Sequence, residues 1–213
     1  MIRGGVWISD ENAACSTIAP DGTAKILAEG IAFANGLAFN ADESYIYVCQ
    51  TFKCNVIRYS IHSDGTLGAP EQYGPQLGEV WSPNSDPTQM GLTDGCGFDE
   101  DGNLWVTLVS ANRIVAVTPS GDVELIMEDP EGDLLQRPTN VTWGGPDLRD
   151  LYIGSLKSDY VLQARSPVAG LPLVHQRPYG VGAPQGPTLS TAFCAIAVAR
   201  RRTCHGQSPA ARS

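Results

Sequence analysis

One phrase recurs three times in this chain, and it restricts the possible folds more than any other feature of the sequence. Each copy has a short apolar run, a polar turn and a second apolar run with an aromatic residue at its middle position. The copies begin at Asn35, Asp94 and Asn140. Runs of β-branched and aromatic residues that are cut by Gly, Asn and Asp are typical of antiparallel strands joined by tight turns. The repeat therefore predicts an all-β chain.

Further strands follow the first two copies. Residues 56–61 run into the turn at Asp64-Gly65, and residues 113–117 continue through a turn into residues 123–126. Units of four antiparallel strands whose starts lie 59 and 46 residues apart favour a β-propeller. A β-sandwich is the structural alternative, but it does not require the same phrase to recur three times.

Each copy of the phrase places a polar residue at the start of its first strand, namely Asn35, Asp94 and Asn140. The innermost strands of a propeller line a central channel, so equivalent positions converge on its axis. Carboxylate and amide oxygens that converge in this way are ligands for a hard divalent cation. Ca²⁺ is favoured over Zn²⁺ because no His or Cys accompanies these oxygens. Alternatively, Asn-Gly and Asp-Gly are ordinary turn residues that precede a strand.

A long loop, residues 77–90, separates the first two copies of the phrase. Loops between blades often shape the entrance to a binding site. Trp81 in this loop is therefore a candidate for stacking on a sugar ring. The alternative is a solvent loop that packs one tryptophan.

Composition excludes several classes of partner. The 23 acidic residues outnumber the 14 Lys and Arg and give a net charge of −9, which argues against nucleic acid, because phosphate binding needs clustered basic residues. No run approaches the roughly 18 apolar residues that span a bilayer, so no membrane partner is expected. The six cysteines have no CxxC spacing, so we expect buried thiols rather than a zinc site.

Charge is distributed unevenly along the chain. All acidic residues lie at or before Asp159, whereas residues 160–213 contain six Arg and no acid. This change predicts a partial propeller over residues 1–177 and a flexible or non-native tail over residues 178–213. Residues 1–11 lack the apolar stretch of a signal peptide, so we expect a cytoplasmic protein.

Three ordered segments resemble the signatures of one protein family. Residues 33–39 with 42–48 are similar to the middle-blade signature of the SMP-30/gluconolactonase/LRE-like family, which includes regucalcin and bacterial gluconolactonases. Residues 94–106 and 138–153 are similar to the next two signatures. The resemblance covers residues 7–175 and implies a six-bladed propeller that holds one divalent ion, usually Ca²⁺ or Zn²⁺. The activity that it implies is hydrolysis of sugar lactones to aldonic acids.

The resemblance also implies roles for single residues. By position, Asn35 matches a metal-binding Asn, and Asp94 matches a metal-binding Asp that is also the proposed general base. Asn140 matches a channel-facing position, and we assign it with Trp81 to substrate binding. The chemistry suits these residue types, because a metal-bound carbonyl is polarised and a carboxylate such as Asp94 can accept a proton from water.

The chain matches the family from the third blade onward and has room for three to four blades. The family's first-blade glutamate ligand has no counterpart, since Glu11 precedes a strand of the third blade. We therefore expect weak metal binding and low or absent lactonase activity. We interpret the chain as a fragment or, alternatively, as a short propeller that self-associates through its open edges. The competing functions are a non-catalytic propeller that binds partners, and a related esterase or phosphotriesterase.

Overall fold

Short β-strands dominate the structure. The computed structural model describes residues 6–10, 14–19, 21–86, 90–173 and 176. In this part of the chain, the strands form four antiparallel sheets in which neighbours in space are also neighbours in sequence. The predicted tail lies outside the described residues, as do Cys194, Cys204, His175 and His205.

The sheets follow one another along the chain. The first contains three strands: β1 (Val6–Asp10), β2 (Ala14–Ile18) and β3 (Ala24–Glu29). The second contains four strands: β4 (Ala34–Phe39), β5 (Tyr45–Gln50), β6 (Asn55–Ser60) and β7 (Glu71–Tyr73). The third contains another four: β8 (Thr93–Phe98), β9 (Leu104–Leu108), β10 (Arg113–Val117) and β11 (Val123–Glu128). The fourth contains β12 (Pro138–Gly144), β13 (Asp150–Ser155) and β14 (Leu162–Arg165). A single turn of 3₁₀ helix, Thr51–Lys53, follows β5.

The first strands of successive sheets pack against one another. In the second, third and fourth sheets, β4 contacts β8 and β8 contacts β12. Four sheets joined side by side through their first strands are the radial arrangement of propeller blades, whereas a sandwich has two sheets face to face. The predicted all-β propeller is confirmed, with four blades or parts of blades in the described residues.

Burial explains why the middle strands have continuous apolar sequences. All five residues of β9 are buried, and so are five of the six residues of β5. A sheet that has a neighbour on each side has no solvent face, so its strands do not alternate apolar and polar residues. In the fourth sheet, β13 begins with alternating half-buried and buried residues.

The core lies between the sheets and is rich in aromatic contacts. Tyr47 of the second sheet meets Phe98 of the third edge-on, with ring centroids 4.9 Å apart. Trp105 of the third sheet meets Trp143 of the fourth in the same way, at 5.1 Å. Such pairs stabilise by about 0.5–1.5 kcal/mol beyond their buried area. The aromatic position of the repeated phrase therefore joins blade to blade.

The segment after β14 returns to the third sheet. Leu171 N–H donates to the Phe98 carbonyl at 2.9 Å, and Glu100 N–H donates to the Ala169 carbonyl at 2.8 Å. This strap, residues 167–171, links the fourth sheet to the turn between β8 and β9. No described helix has the length and apolar character needed to cross a membrane.

The cysteines of the described region are buried, as predicted. They are free thiols: Cys15, Cys49, Cys54 and Cys96. Burial raises the pKa of the Cys15 thiol to about 11, which keeps it protonated at neutral pH. These side chains therefore behave as small apolar groups.

Candidate functional site

The inner strands β4, β8 and β12 each start with a break in their pairing register. The breaks lie between Ala34 and Leu37 in β4, between Thr93 and Cys96 in β8, and between Pro138 and Asn140 in β12. The first two breaks enclose Asn35 and Asp94, and the third ends at Asn140. An irregularity of this kind redirects a side chain from the regular alternation of a strand and is frequent beside functional sites. Asn35 and Asp94 thus share one local geometry, whereas Asn140 pairs with Gly154 directly after its break.

Two glycines let the inner strands approach at main-chain distance. A Cβ atom on Gly36 would lie 2.8 Å from the backbone nitrogen of Cys96 and against the Asp94 carbonyl. A Cβ atom on Gly95 would lie 2.7 Å from the Cα of Asn140. Real Cβ atoms do not come this close to backbone, so only glycine fits at either position. The close approach brings Asn35, Asp94 and Asn140 next to one another on three strands.

Asn35 and Asp94 interact directly across β4 and β8. The Asn35 side chain is hydrogen-bonded to the Asp94 carboxylate, and its amide Nδ2 also donates to Thr51 Oγ1 at 3.3 Å. On the neighbouring strand, Thr107 Oγ1 accepts from Gly95 N–H at 3.0 Å and donates to the Gly95 carbonyl at 3.2 Å. The buried Thr107 hydroxyl therefore satisfies the backbone at the break beside Asp94.

Burial controls the ionisation of Asp94. Its removal from water raises the pKa of the carboxyl group to about 6, and the hydrogen bond from Asn35 acts in the opposite direction. A carboxylate with this pKa is mainly ionised at pH 7 and is a better proton acceptor than an ordinary aspartate.

Asn140 lies beside this pair on the next inner strand. Its Oδ1 accepts a hydrogen bond from Val141 N–H at 2.9 Å and also lies against Gly95. The residue is exposed. Asn140 is therefore available at the surface of the site, next to the residue that follows Asp94.

The oxygens that meet here match part of a site for a hard cation. Asp94 supplies a carboxylate and Asn35 an amide oxygen, and both kinds of donor suit Ca²⁺ better than Zn²⁺. Within the described ranges, no three His, Cys, Asp or Glu side chains are grouped closely enough to hold a metal. One carboxylate with one amide is a set of low charge, so its intrinsic affinity for Ca²⁺ is expected to be weak.

Trp81 lies outside this group, on a surface that we call the aromatic ridge, formed by Phe33, Phe52 and Trp81. The ring centroids of Phe33 and Phe52 are 4.7 Å apart, and those of Phe52 and Trp81 are 5.3 Å apart. Phe52 directly follows Thr51, the residue that binds Asn35. The ridge therefore begins at the edge of the Asn35–Asp94 site and leads away from it.

The loop that carries Trp81 is fastened to the turn after β5. Leu77 N–H donates to the Cys54 carbonyl at 2.8 Å, and Trp81 N–H donates to the Phe52 carbonyl at 2.9 Å. The buried Cys54 thiol donates to the Glu79 carbonyl at 2.9 Å. These bonds fix the start of the loop, and with it Trp81, relative to the blade.

A separate cleft of about 480 Å³ opens beside this loop. Glu79 and Arg113 are among its lining residues, whereas Asn35, Asp94 and Asn140 are not. Arg113 forms an ion pair with Glu128. The cleft is thus distinct from the polar group on the inner strands.

The structure brings together Asn35, Asp94 and Asn140, the three strand-start residues that the sequence singles out. Sequence reasoning missed Thr51 and the two phenylalanines of the aromatic ridge. Strand pairing could have found Thr51, because β4 and β5 are antiparallel and the end of β5 lies beside the start of β4. Phe33 and Phe52 flank the same two strand ends. Their contact with Trp81 depends on how a long loop folds back, which no local pattern encodes.

Comparison with known proteins agrees with this architecture. A family model described as the SMP-30/gluconolactonase/LRE-like region matches residues 6–157. A 6-deoxy-6-sulfogluconolactonase of Pseudomonas putida is 31% identical over 136 residues, which are 64% of this chain and 42% of that protein. A pentonolactonase of Haloferax volcanii is 28% identical over 140 residues, which are 65% of this chain and 43% of that protein.

A solved structure is also similar to this chain. A luciferin-regenerating enzyme superposes with a TM-score of 0.52 at 27% sequence identity, over 68% of this chain and 45% of that one. The chain therefore spans less than half the length of these relatives.

Proposed function

The chain belongs to the SMP-30/gluconolactonase/LRE-like family, and on this premise we propose that its site hydrolyses the ester bond of sugar lactones. The observation that carries the proposal is the pairing of Asn35 with Asp94 at the starts of two inner strands, where burial raises the pKa of Asp94 to about 6. The names of the lactonase relatives support the same reaction class.

In the proposed reaction, Asp94 accepts a proton from a water molecule whose oxygen bonds to the lactone carbonyl carbon. The ring C–O bond then breaks, and the proton passes from Asp94 to the departing ring oxygen. The product is an open-chain hydroxy acid. Asn35 holds the Asp94 carboxylate in position, and Asn140 contacts the sugar hydroxyls.

We further propose that Asn35 and Asp94 hold a divalent cation, with Ca²⁺ preferred because all their donors are oxygens. When bound, such a cation would stabilise the negative charge that develops on the carbonyl oxygen. The ionised Asp94 carboxylate is required for this binding. Cation binding and proton acceptance therefore depend on the same side chain.

The proposal is tested by measuring acid release from gluconolactone in a pH-stat, with added Ca²⁺ and with a chelator. Asp94→Asn keeps the shape of the side chain but removes its charge and basicity, so we expect a loss of roughly 10²- to 10⁴-fold in the Ca²⁺-dependent rate. Asp159→Asn is the matched control, because Asp159 is an exposed carboxylate in the loop before β14.

Two results would contradict the proposal in different ways. If the parent chain has no Ca²⁺-dependent rate above that of buffer, the chain is not a lactonase, and a non-catalytic binding propeller becomes the better hypothesis. If the rate is present but Asp94→Asn retains it, the reaction class stands and the assignment of Asp94 is wrong.

A further inference from the structure

Two rings of the aromatic ridge are substantially exposed to solvent. Phe52 is 39% exposed and Trp81 is 46% exposed, although both rings also contact an aromatic neighbour. Exposed apolar residues are ordinary when they are scattered, whereas contiguous ones are typical of binding surfaces. The ridge is contiguous and lies beside the polar site.

Backbone contacts hold the ridge in place. Thr51 N–H donates to the Phe33 carbonyl at 3.1 Å, and Phe52 N–H donates to the Ala32 carbonyl at 3.4 Å. Phe33 has a φ of 58°, a left-handed conformation that bulky residues rarely adopt. Such a conformation persists only where the surrounding structure imposes it, and it is frequent at functional sites. The three rings therefore form a fixed platform.

We propose that the aromatic ridge is a second sugar subsite, and that the substrates of this site are lactones of disaccharide aldonic acids. The inference rests on the proposed function, because the lactone ring would occupy the Asn35–Asp94 site while the attached sugar ring lies on the ridge. The two regions are continuous, since Phe33 is two residues from Asn35 and Thr51 links Asn35 to Phe52.

The chemistry of the ridge fits a sugar ring better than an aryl group. A pyranose has an apolar C–H face that stacks on aromatic rings, and hydroxyls at its edge that need polar neighbours. Polar groups follow Trp81 in the loop: Asn84 is exposed, and the Ser82 and Ser85 hydroxyls bond to each other at 2.9 Å. A hydroxyl that donates one hydrogen bond still has lone pairs that can accept another from a sugar. An aryl ligand would favour an enclosed apolar pocket, whereas the ridge is open to solvent.

Binding can be measured without any reaction, with lactobionate as the disaccharide acid and gluconate as the monosaccharide acid. We expect Trp81→Ala to weaken binding of lactobionate roughly three- to tenfold in a calorimetric or NMR titration, while binding of gluconate is unchanged. Trp81→Phe retains a ring and should keep most of the affinity. Leu156→Ala is the matched control, because Leu156 is 67% exposed in the bend after β13.

Near-ultraviolet circular dichroism provides a check on folding, because Trp105 and Trp143 are buried and report on the core of each variant. The subsite proposal is overturned if the parent binds lactobionate and gluconate equally, or if Trp81→Ala weakens both to the same extent.

Kinetics separate this proposal from the one on which it rests. For hydrolysis of lactobionolactone relative to gluconolactone, we expect Trp81→Ala to lower the ratio of kcat/KM values through KM. If both lactones are hydrolysed and the ratio is unchanged, the subsite proposal fails and the lactonase proposal stands. If neither is hydrolysed but Trp81-dependent binding of lactobionate remains, the lactonase proposal fails and the ridge is a disaccharide site.

Discussion

Burial of the Asp94 side chain disfavours its ionised form. Its pKa is raised to about 6, and the Asn35 hydrogen bond offsets only part of the effect. In the absence of a cation, the folded protein therefore binds a proton at Asp94 more tightly than the unfolded chain does. Linkage then requires that Asp94 costs stability when it is ionised. The fold therefore contains a carboxylate whose charge destabilises it.

This reasoning predicts a pH-dependent effect of Asp94→Asn on stability in the presence of a chelator. Because the folded pKa is raised, the parent is most favoured below the unfolded pKa of about 4 and loses that advantage as pH rises to about 6. The gain in thermal midpoint from Asp94→Asn should therefore appear between these two pH values and stay constant above them. Thermal unfolding at pH 4, 5, 6 and 8 measures it, and a gain that shrinks as pH rises would contradict the burial argument.

Asp99 is a buried carboxylate that stabilises the fold through its hydrogen bonds. It is 1% exposed, and its oxygens accept hydrogen bonds from the Asn103 backbone at 2.8 Å, the Asn103 amide at 2.8 Å and the Trp105 indole N–H at 2.9 Å. Its donors all belong to the turn and strand that follow it. Asp99 therefore stabilises the hairpin of β8 and β9. Each of its oxygens already accepts two hydrogen bonds within that hairpin, so neither is available to bind a substrate.

We predict that Asp99→Asn lowers the free energy of unfolding by about 1–3 kcal/mol, because the new amide NH₂ would face donors and leave them unpaired. Urea denaturation measures the loss. Asp101→Asn, in the same turn and half-buried, should change stability much less. Equal losses in the two variants would mean that the Asp99 hydrogen bonds do not determine the stability of this hairpin.

At the level of elements, the site depends on how closely the inner strands approach. Gly95 lies between β4 and β12, and its missing side chain lets Asn140 contact the backbone of β8. A side chain at this position would push two blades apart, because two of the three nearest atoms, the Thr139 carbonyl oxygen and the Asn140 Cα, are backbone and cannot rotate away. The spacing of Asn35, Asp94 and Asn140 is therefore set by strands rather than by side-chain rotamers.

Gly95→Ala should lower the free energy of unfolding by roughly 1–3 kcal/mol through overpacking and also weaken any response to Ca²⁺. Gly154→Ala is the matched control, because its Cβ would meet only a side-chain atom, Thr139 Oγ1, at 3.0 Å. Urea denaturation with and without Ca²⁺ gives both quantities. If Gly95→Ala is as stable as the control, the main-chain contact does not set the spacing.

The sequence predicted the elements better than the contacts between them. Alternating strands and Asp-Gly turns are local signals, and the hairpins around Tyr47 and Trp105 lie where the repeated phrase predicts them. The polar residues at the strand starts were identified for the same reason. The aromatic ridge was not, because the contact of Trp81 with Phe52 depends on a loop that folds back across residues distant in sequence. Thr51 was missed although the antiparallel pairing of β4 with β5 places it beside the start of β4.

At the scale of the whole molecule, the described sheets are stabilised by contacts among themselves. The strap of residues 167–171 joins the fourth sheet to the third, and aromatic pairs join the third sheet to both neighbours. We propose that the domain extends over residues 1–177 and that residues 178–213 form a separate tail.

Removal of residues 178–213 should accordingly leave the thermal midpoint within a few degrees of the parent value, because the described strands and the strap that joins the fourth sheet to the third all lie before residue 172. Circular dichroism melts of the full chain and the shortened chain make the comparison. A shortened chain that aggregates or melts without a cooperative transition would disprove the proposed boundary.

The main-chain contact at Gly36 and Gly95 has a mechanical consequence. Close-packed protein interiors compress little, and pressure acts first on the voids that imperfect packing leaves. Backbone packed against backbone at these two glycines leaves no room for a side chain between the strands. We therefore expect hydrostatic pressure to change the separation of Asn35 and Asp94 less than it displaces the outer strands of the blades.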